Sequence, residues 1–276
     1  MKIRFTKMHG LGNDFVVFDT FEQAINLTED QLRYIADRNF GVGCDQILML
    51  GPAERPDADV SYRIFNADGG EVAQCGNGAR CAARYLRDRG LVSKDEIVAS
   101  TRNGVLTLYL EDNNLVRVNM GVPAFEPESI PINATARAAH YTLTLDADDI
   151  SASILSIGNP HAVIIVDNVA EAPVRTLGPQ VQQHALFPEG VNVGFMQIVD
   201  NSHIRLRVFE RGAGETLACG SGACAAVVAG CQDELLQGTI DVELKGGNLA
   251  ITWGGESKPV WMVGPAITVY EGRIDL

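Results

Sequence analysis

The chain has 276 residues, 46% of them hydrophobic and 21% charged, and its 22 Lys and Arg against 35 Asp and Glu leave a net charge of −13. That balance repels a phosphate backbone and argues against a nucleic-acid partner, and no apolar run is long enough to span a bilayer. The first residues lack the apolar core and cleavage site of a secretion signal, so Cys44, Cys75, Cys81, Cys219, Cys224 and Cys231 are expected as reduced thiols of a cytoplasmic protein.

The opening stretch reads as a strand over 2–9, and Gly12-Asn13-Asp14 as a turn into a second strand over 15–19. Thr28 with Gln31 forms a capping box for a helix near 29–38. Strands follow over 60–66, 96–101, 105–110 and 114–120. Among them a helix begins after Cys75, with Ala79, Ala82, Ala83 and Leu86 on one face, Arg80, Arg84 and Arg87 elsewhere, and Gly90 at its C-terminal end. In the second half strands are expected over 141–145, 151–157, 162–166, 194–200, 204–209, 240–244, 248–253 and 260–263. A helix after Cys219 is apolar nearly all round through Ala229, as suits a buried one, and a last strand near 266–270 is expected to return to the first half. Short turns join most strands, so antiparallel pairing should dominate.

The two halves repeat one another. Cys75-Gly76-Asn77-Gly78-Ala79 is matched by Cys219-Gly220-Ser221-Gly222-Ala223 at a spacing of 144 residues, as are Arg63-Ile64-Phe65-Asn66 by Arg207-Val208-Phe209-Glu210 and Gly70-Glu71 by Gly214-Glu215. Arg102-Asn103-Gly104 resembles Lys245-Gly246-Gly247 as a hairpin signal, and Gly12-Asn13 matches Gly158-Asn159. Such a spacing implies a duplicated domain. The expected fold is α+β, with two pseudo-symmetric domains, each a mainly antiparallel sheet curled around a central helix. The boundaries are 1–120, completed by 265–276, and 121–264, with the active site in the cleft between them.

Each Cys-Gly pair opens a helix, where the first backbone N–H groups lack internal partners and carry partial positive charge. They suit a substrate carboxylate and favour thiolate over thiol, and the glycines allow close backbone approach to a ligand. Two thiols on opposite faces of one carbon would remove a proton and return it, the chemistry of stereoinversion. Such chemistry needs no cofactor. A pyridoxal lysine, a nucleotide loop and a zinc site are all unsupported, because Gly212-Ala213-Gly214-Glu215-Thr216-Leu217 lacks a third glycine and there is no Cys-x-x-Cys or His-x-x-x-His. A single Cys-Gly-x-Gly-Ala is more often a tight strand-to-helix turn than an active site; two at matched positions reverse that balance.

With these residues in view, the chain resembles the diaminopimelate epimerase family nearly end to end. The likeness is carried by Lys7-Met8-His9-Gly10-Leu11-Gly12-Asn13-Asp14-Phe15, Phe65-Asn66-Ala67-Asp68-Gly69, Ala73-Gln74-Cys75-Gly76-Asn77-Gly78-Ala79-Arg80, Gly158-Asn159-Pro160-His161 and Glu210-Arg211-Gly212-Ala213-Gly214-Glu215-Thr216, with Ala218-Cys219-Gly220-Ser221-Gly222. The resemblance implies a cofactor-independent interconversion of L,L- and meso-diaminopimelate in lysine and peptidoglycan precursor synthesis, by a homodimer. It implies that Cys75 and Cys219 are the acid/base pair, that His161 and Glu210 tune them, and that Gly76, Asn77, Gly220 and Ser221 hold the reacting carboxylate. It also implies substrate contacts from Asn13, Gln46, Asn66, Asn159, Asn192, Glu210 and Arg211. Each has a structural alternative: Asn13 and Asn159 as turn residues, Glu210 and Arg211 as an ion pair, Gln46 as a surface residue, His161 as a core imidazole. Gly70 stands where the family pattern suggests serine, and Cys44 at a variable place. Two other readings are a proline or hydroxyproline racemase, which usually has histidine where Asn77 stands, and a non-catalytic amino-acid-binding or thiol-redox module.

Overall fold

The computed structural model describes residues 2–72, 75–102, 104–145 and 149–276. Met1, Ala73, Gln74 and Asn103, which belong to stretches singled out above, lie outside the described residues. The chain divides into two compact units, Met1–Val118 with Val263–Leu276, and Asn119–Met262.

Unit 1 begins with β1 (Lys2–Gly10), β2 (Asn13–Asp19), α1 (Glu29–Ala36), β3 (Gln46–Pro52), β4 (Val60–Asn66), β5 (Glu71–Val72), α2 (Gly76–Asp88), β6 (Glu96–Thr101), β7 (Gly104–Leu110) and β8 (Leu115–Asn119). In unit 2 follow β9 (Tyr141–Thr144), β10 (Asp149–Ser156), β11 (Pro160–Ile165), α3 (Val174–Gln182), β12 (Asn192–Asp200), β13 (His203–Glu210), β14 (Gly214–Glu215), α4 (Gly220–Gln232), β15 (Thr239–Leu244) and β16 (Gly247–Trp253), and β17 (Val260–Pro265) begins in unit 2 and ends among the residues of unit 1. The final strand, β18 (Ile267–Asp275), pairs antiparallel with β1 from Lys2↔Asp275 to His9↔Ile267.

Unit 1's sheet runs β18-β1-β2-β3-β4-β6-β7-β8, with β5 beside β4. Unit 2's runs β9-β10-β11-β12-β13-β15-β16, with β14 beside β13. Antiparallel pairs dominate both. The parallel pairs are β2/β3 and β4/β6 in unit 1, β11/β12 and β13/β15 in unit 2, each crossover carrying a helix as a parallel connection requires. α2 touches β1, β2, β3, β7 and β18, strands from both ends of its sheet, so the sheet wraps it; α4 is enclosed likewise by β10, β11, β12, β13 and β16. α1 covers the outer face of unit 1 with Leu32, Ile35 and Ala36 over Phe18, Ile47 and Phe65, and α3 does the same in unit 2 with Val174 and Val181.

The capping box forms as expected, Thr28 Oγ1 accepting from the Gln31 N–H (3.3 Å) and Gln31 Oε1 from the Thr28 N–H (3.0 Å). Besides the two-residue strands β5 and β14, β3 and α3 escaped the sequence reading for physical reasons. β3, with the sequence Gln-Ile-Leu-Met-Leu-Gly-Pro, is buried on both faces, so it shows no alternation. α3 contains Gly178 and Pro179, ordinarily helix breakers. A Cβ at Gly178 would stand 2.6 Å from the Phe209 ring, so the glycine is what lets α3 lie on β13.

α2 and α4 stop in the same way. Gly90 (φ +66°) follows α2, its N–H donating to Arg87 O (3.0 Å) while Leu91 N–H donates to Leu86 O (2.9 Å), a Schellman turn. At the matching place after α4, Glu234 (φ +59°) donates to Cys231 O (3.2 Å) and Leu235 to Gly230 O (2.9 Å). Glu234 thus holds a left-handed conformation that costs an L side chain energy. Glu234→Gly is expected to stabilise the protein by about 0.5–1 kcal/mol, read as a higher urea midpoint with an unchanged slope.

Glu215 is the polar tie of unit 2. Its carboxylate, only 4% exposed, accepts from Arg207 Nε (2.7 Å), Lys245 Nζ (2.5 Å) and Arg175 Nε (3.1 Å), joining β14 to β13, α3 and the β15–β16 turn. Burial pushes its pKa up, but the three cations outweigh burial and hold it at about 2, below the carboxylate's ordinary 4.5. Its stabilising effect is therefore complete above the unfolded-state value and fades as pH falls towards 2. Glu215→Gln should remove that part of the acid-unfolding slope, measured by circular dichroism from pH 6 downward.

Candidate active site

In each unit the ends of three neighbouring strands meet the first turn of the wrapped helix. β2 starts at Asn13, β3 at Gln46, and β4 ends at Asn66, the register pairing Phe15↔Gln46 and Gln46↔Asn66. In unit 2, Asn159 precedes β11, β12 starts at Asn192 beside His161, and β13 ends at Glu210 followed by Arg211. Cys75 and Cys219 are the N-cap residues of α2 and α4, both with extended backbone, and Gly76, Asn77, Gly220 and Ser221 form the first turns.

The second glycine of each of these turns has a packing role that the sequence does not suggest. A Cβ at Gly78 would lie 2.8 Å from Tyr62 Oη and 3.2 Å from Leu48 and Phe15, and one at Gly222 would lie 3.1 Å from Val208 and 3.3 Å from Cys219 Sγ. They admit the helix to its own sheet.

Around Cys75 amide side chains gather. Cys75 Sγ faces Asn13 Oδ1 at 3.7 Å, and the same oxygen accepts from Asn77 Nδ2 at 3.1 Å. Asn13 Nδ2 donates to Asp45 Oδ2 (2.9 Å), and Gln46 Nε2 to Asn66 Oδ1 (2.9 Å). Asp45 is itself fixed by an ion cluster in which Arg38 bridges Asp45 and Asp14, while Lys7 pairs with Asp14 and donates to Gly43 O. Burial raises the Asp14 pKa, but Arg38 and Lys7 outweigh it and hold the group at about 2. Leu11 (φ +55°) and Gly12 (φ +86°) make the two-residue turn that delivers Asn13.

Around Cys219 the acceptor is a carboxylate. The thiol donates to Glu210 Oε2 at 2.9 Å, Glu210 Oε1 accepts from Thr216 Oγ1 at 2.5 Å, and Ser221 Oγ lies 3.7 Å from the sulfur. Burial, then the Glu210 charge, pushes the Cys219 pKa well above the ordinary thiol value, although the Gly222 N–H acts in the opposite sense. The helix start alone led to the opposite expectation. His161, 1% exposed, bonds through Nε2 to Asn159 Oδ1 (3.0 Å), and burial, helped by the Arg211 charge, lowers it to about 3, so it is a neutral imidazole near pH 7. Asn192 donates to Pro160 O (3.1 Å) and accepts from the Arg211 N–H (2.9 Å), and Arg211 Nη1 donates to Glu189 O (2.9 Å).

The sequence-expected residues therefore form two groups: Asn13, Gln46, Asn66, Cys75, Gly76 and Asn77 in unit 1; Asn159, His161, Asn192, Glu210, Arg211, Cys219, Gly220 and Ser221 in unit 2. Sequence reading missed Asp45, Thr216 and the burial of Arg80. The first two follow turn-forming stretches with no periodic signal, while Arg80 could have been noticed because its partner at the 144-residue spacing is the apolar-lying Cys224. Cys44 and Cys81 are buried, with pKa values pushed up to about 12 chiefly by burial, as inert packing thiols are. Among the described residues no cluster of three His, Cys, Asp or Glu side chains could hold a metal ion, and no helix is long and apolar enough to cross a membrane.

Each arrangement offers a thiol at the start of a helix, suited to carrying a proton to or from a carbon next to a carboxylate. Comparison with known proteins agrees with that chemistry. The family model described as diaminopimelate epimerase matches residues 5–126 and 153–269. Curated relatives named diaminopimelate epimerase include those of Nitrosospira multiformis (56% identity, 100% of this chain and 99% of that one), Nitrosomonas eutropha (57%, 100% of each) and Teredinibacter turnerae (54%, 100% of each). Among solved structures the fold is shared with a hydroxyproline epimerase from Agrobacterium vitis (TM-score 0.70, 15% identity, 99% of this chain and 92% of that one). A phenazine biosynthesis protein from Bacillus anthracis shares it as well (TM-score 0.70, 16% identity, 100% of each). The motifs, the duplicated sheet-wrapped helices and end-to-end identity above one half agree: this chain belongs to the diaminopimelate epimerase family.

Proposed function

We propose that the chain is a cofactor-independent isomerase that interconverts L,L- and meso-diaminopimelate, with Cys75 and Cys219 as one acid/base pair. The observation that carries this reading is the recurrence of a cysteine N-cap at both wrapped helices, in a chain 54–57% identical to relatives bearing that name. One sulfur, as thiolate, takes the α-proton while the C–H electron pair spreads into the carboxylate; the other, as thiol, delivers its proton to the opposite face. The sulfurs end with exchanged protonation, and no electrons leave the system. N–H groups of Gly76, Asn77, Gly220 and Ser221 would hold the carboxylate as charge builds there, each such donor being worth roughly 2.7–4 kcal/mol in enzymes where one was removed.

Diaminopimelate is zwitterionic at both ends. Arg211 fits the distal carboxylate, Glu210 an ammonium, and Asn13, Gln46, Asn66, Asn159 and Asn192 supply amides for both ends. A substrate lacking the distal group would leave these unpaired, which supplies specificity. His161 and Glu210 would tune the thiols. The family resemblance also supports a cytoplasmic homodimer, and exposed Ile267, Val269 and Tyr270 on β18 offer an apolar strip that a second copy would cover.

Incubating either stereoisomer in heavy water should place deuterium at the inverted α-carbon, and Cys75→Ala or Cys219→Ala should abolish inversion with far smaller effect from Cys81→Ala. Retention of protium at that carbon, or preferential turnover of proline, would reject the reading. Glu210→Gln should act with opposite signs on two measurements. Loss of the carboxylate removes a repulsion against the thiolate, so Cys219 should be alkylated faster by iodoacetamide at pH 8, while epimerisation slows.

A further inference from the structure

Arg80 is the largest of the fully buried side chains, at 0% exposure, on a helix whose counterpart in unit 2 has Cys224 at the same place. A guanidinium is costly to bury unless its donors are satisfied, and packing alone is served by a small apolar group, as α4 demonstrates. Arg80 Nε donates to Pro265 O (3.2 Å), tying α2 to the segment entering β18, and Nη2 donates to Asn77 Oδ1 (3.0 Å). Gly10 leaves room for it: a Cβ there would stand 3.0 Å from Nη2.

The contact with Asn77 has directional content. Arginine only donates, so Asn77 must turn Oδ1 to it and Nδ2 away. That Nδ2 donates to Asn13 Oδ1 (3.1 Å), and Asn13 Nδ2 donates to Asp45 Oδ2 (2.9 Å), a group that only accepts. A cation at one end and a carboxylate at the other thus settle the orientation of both amides. The outcome is that Asn13 presents its oxygen, at 3.7 Å, to Cys75 Sγ. Unit 2 needs no such chain, because Glu210, which stands where unit 1 has Asn66, faces Cys219 directly.

We propose that Arg80 is a positioning residue for the Cys75 half of the site, setting the sense of the amide chain Asn77–Asn13–Asp45 and so the group that the thiol meets. Its effect on turnover rests on the acid/base reading of Cys75 above; its effect on the thiol does not.

The test uses the full chain with Arg80→Met, Arg80→Lys, Gly10→Ala and, as a destabilised control, Ile97→Ala, which empties a buried place on β6. Iodoacetamide labelling without substrate, read by peptide mass spectrometry, gives the Cys75-to-Cys219 rate ratio. Arg80→Met should move that ratio about fivefold or more, equivalent to roughly 1 kcal/mol between the two thiols. It should also lower kcat by about 10- to 100-fold with KM nearly unchanged, as a misplaced acid/base group does. Arg80→Lys should restore part of both, and Ile97→Ala should leave both at wild-type values. If Arg80→Met does not fold, Gly10→Ala carries the same readouts, since it keeps the charge but crowds Nη2. An unmoved labelling ratio, or the same changes in Ile97→Ala, overturns the proposal. A moved ratio in a chain without epimerase activity upholds the link to Cys75 and rejects the epimerase reading instead.

Discussion

The chemistry of either unit depends on one steric constraint: the first turn of a wrapped helix is pressed against its own sheet. Residues 78 and 222 have no space for a side chain, since Tyr62, Leu48 and Phe15 close on one and Val208 on the other. Without them α2 and α4 would ride higher, and the N-cap sulfurs would leave the strand ends that surround them. Because the strands that end there are neighbours in the sheet, polar side chains distant in sequence arrive together on a rigid rim. The site is therefore assembled by packing, with polar groups added at the edge of an apolar contact.

Duplication then supplied the same rim twice, and the copies have diverged in charge. Unit 1 backs its cysteine with amides oriented between a buried guanidinium and a carboxylate, whereas unit 2 sets a carboxylate directly against sulfur. Acceptors of different strength opposite chemically identical thiols make the halves unequal before substrate arrives. A stereoinverting enzyme receives two different isomers, and an unequal pair suits that task as well as a symmetric one.

Legibility from sequence followed the physics of each element. Helix starts with distinctive chemistry, such as Thr28 with Gln31 or the two Cys-Gly pairs, were readable because capping is local. Solvent-facing strands were readable because they alternate. β3 and α3 were hidden, one by burial on both faces and the other by Gly178 and Pro179, whose tolerance depends on Phe209 across the unit. Among site residues, the cysteines and their following turns could be named from the repeat. The state of Cys219 could not, because burial and Glu210 act through space and reverse what the helix start predicts.

The sheet of unit 1 receives its outermost strand, β18, from the far end of the chain, in the slot that β9 fills for unit 2 at the start of its own sequence. A ribosome making this protein delivers every strand of the later half before the earlier half has its last one. Synthesis order and completion order are thus inverted. The nascent first half waits with Ile3, Phe5 and the rest of β1 lacking a hydrogen-bonded neighbour on one side until residues 267–275 are made, so a chain cut short before them strands the half that was made first.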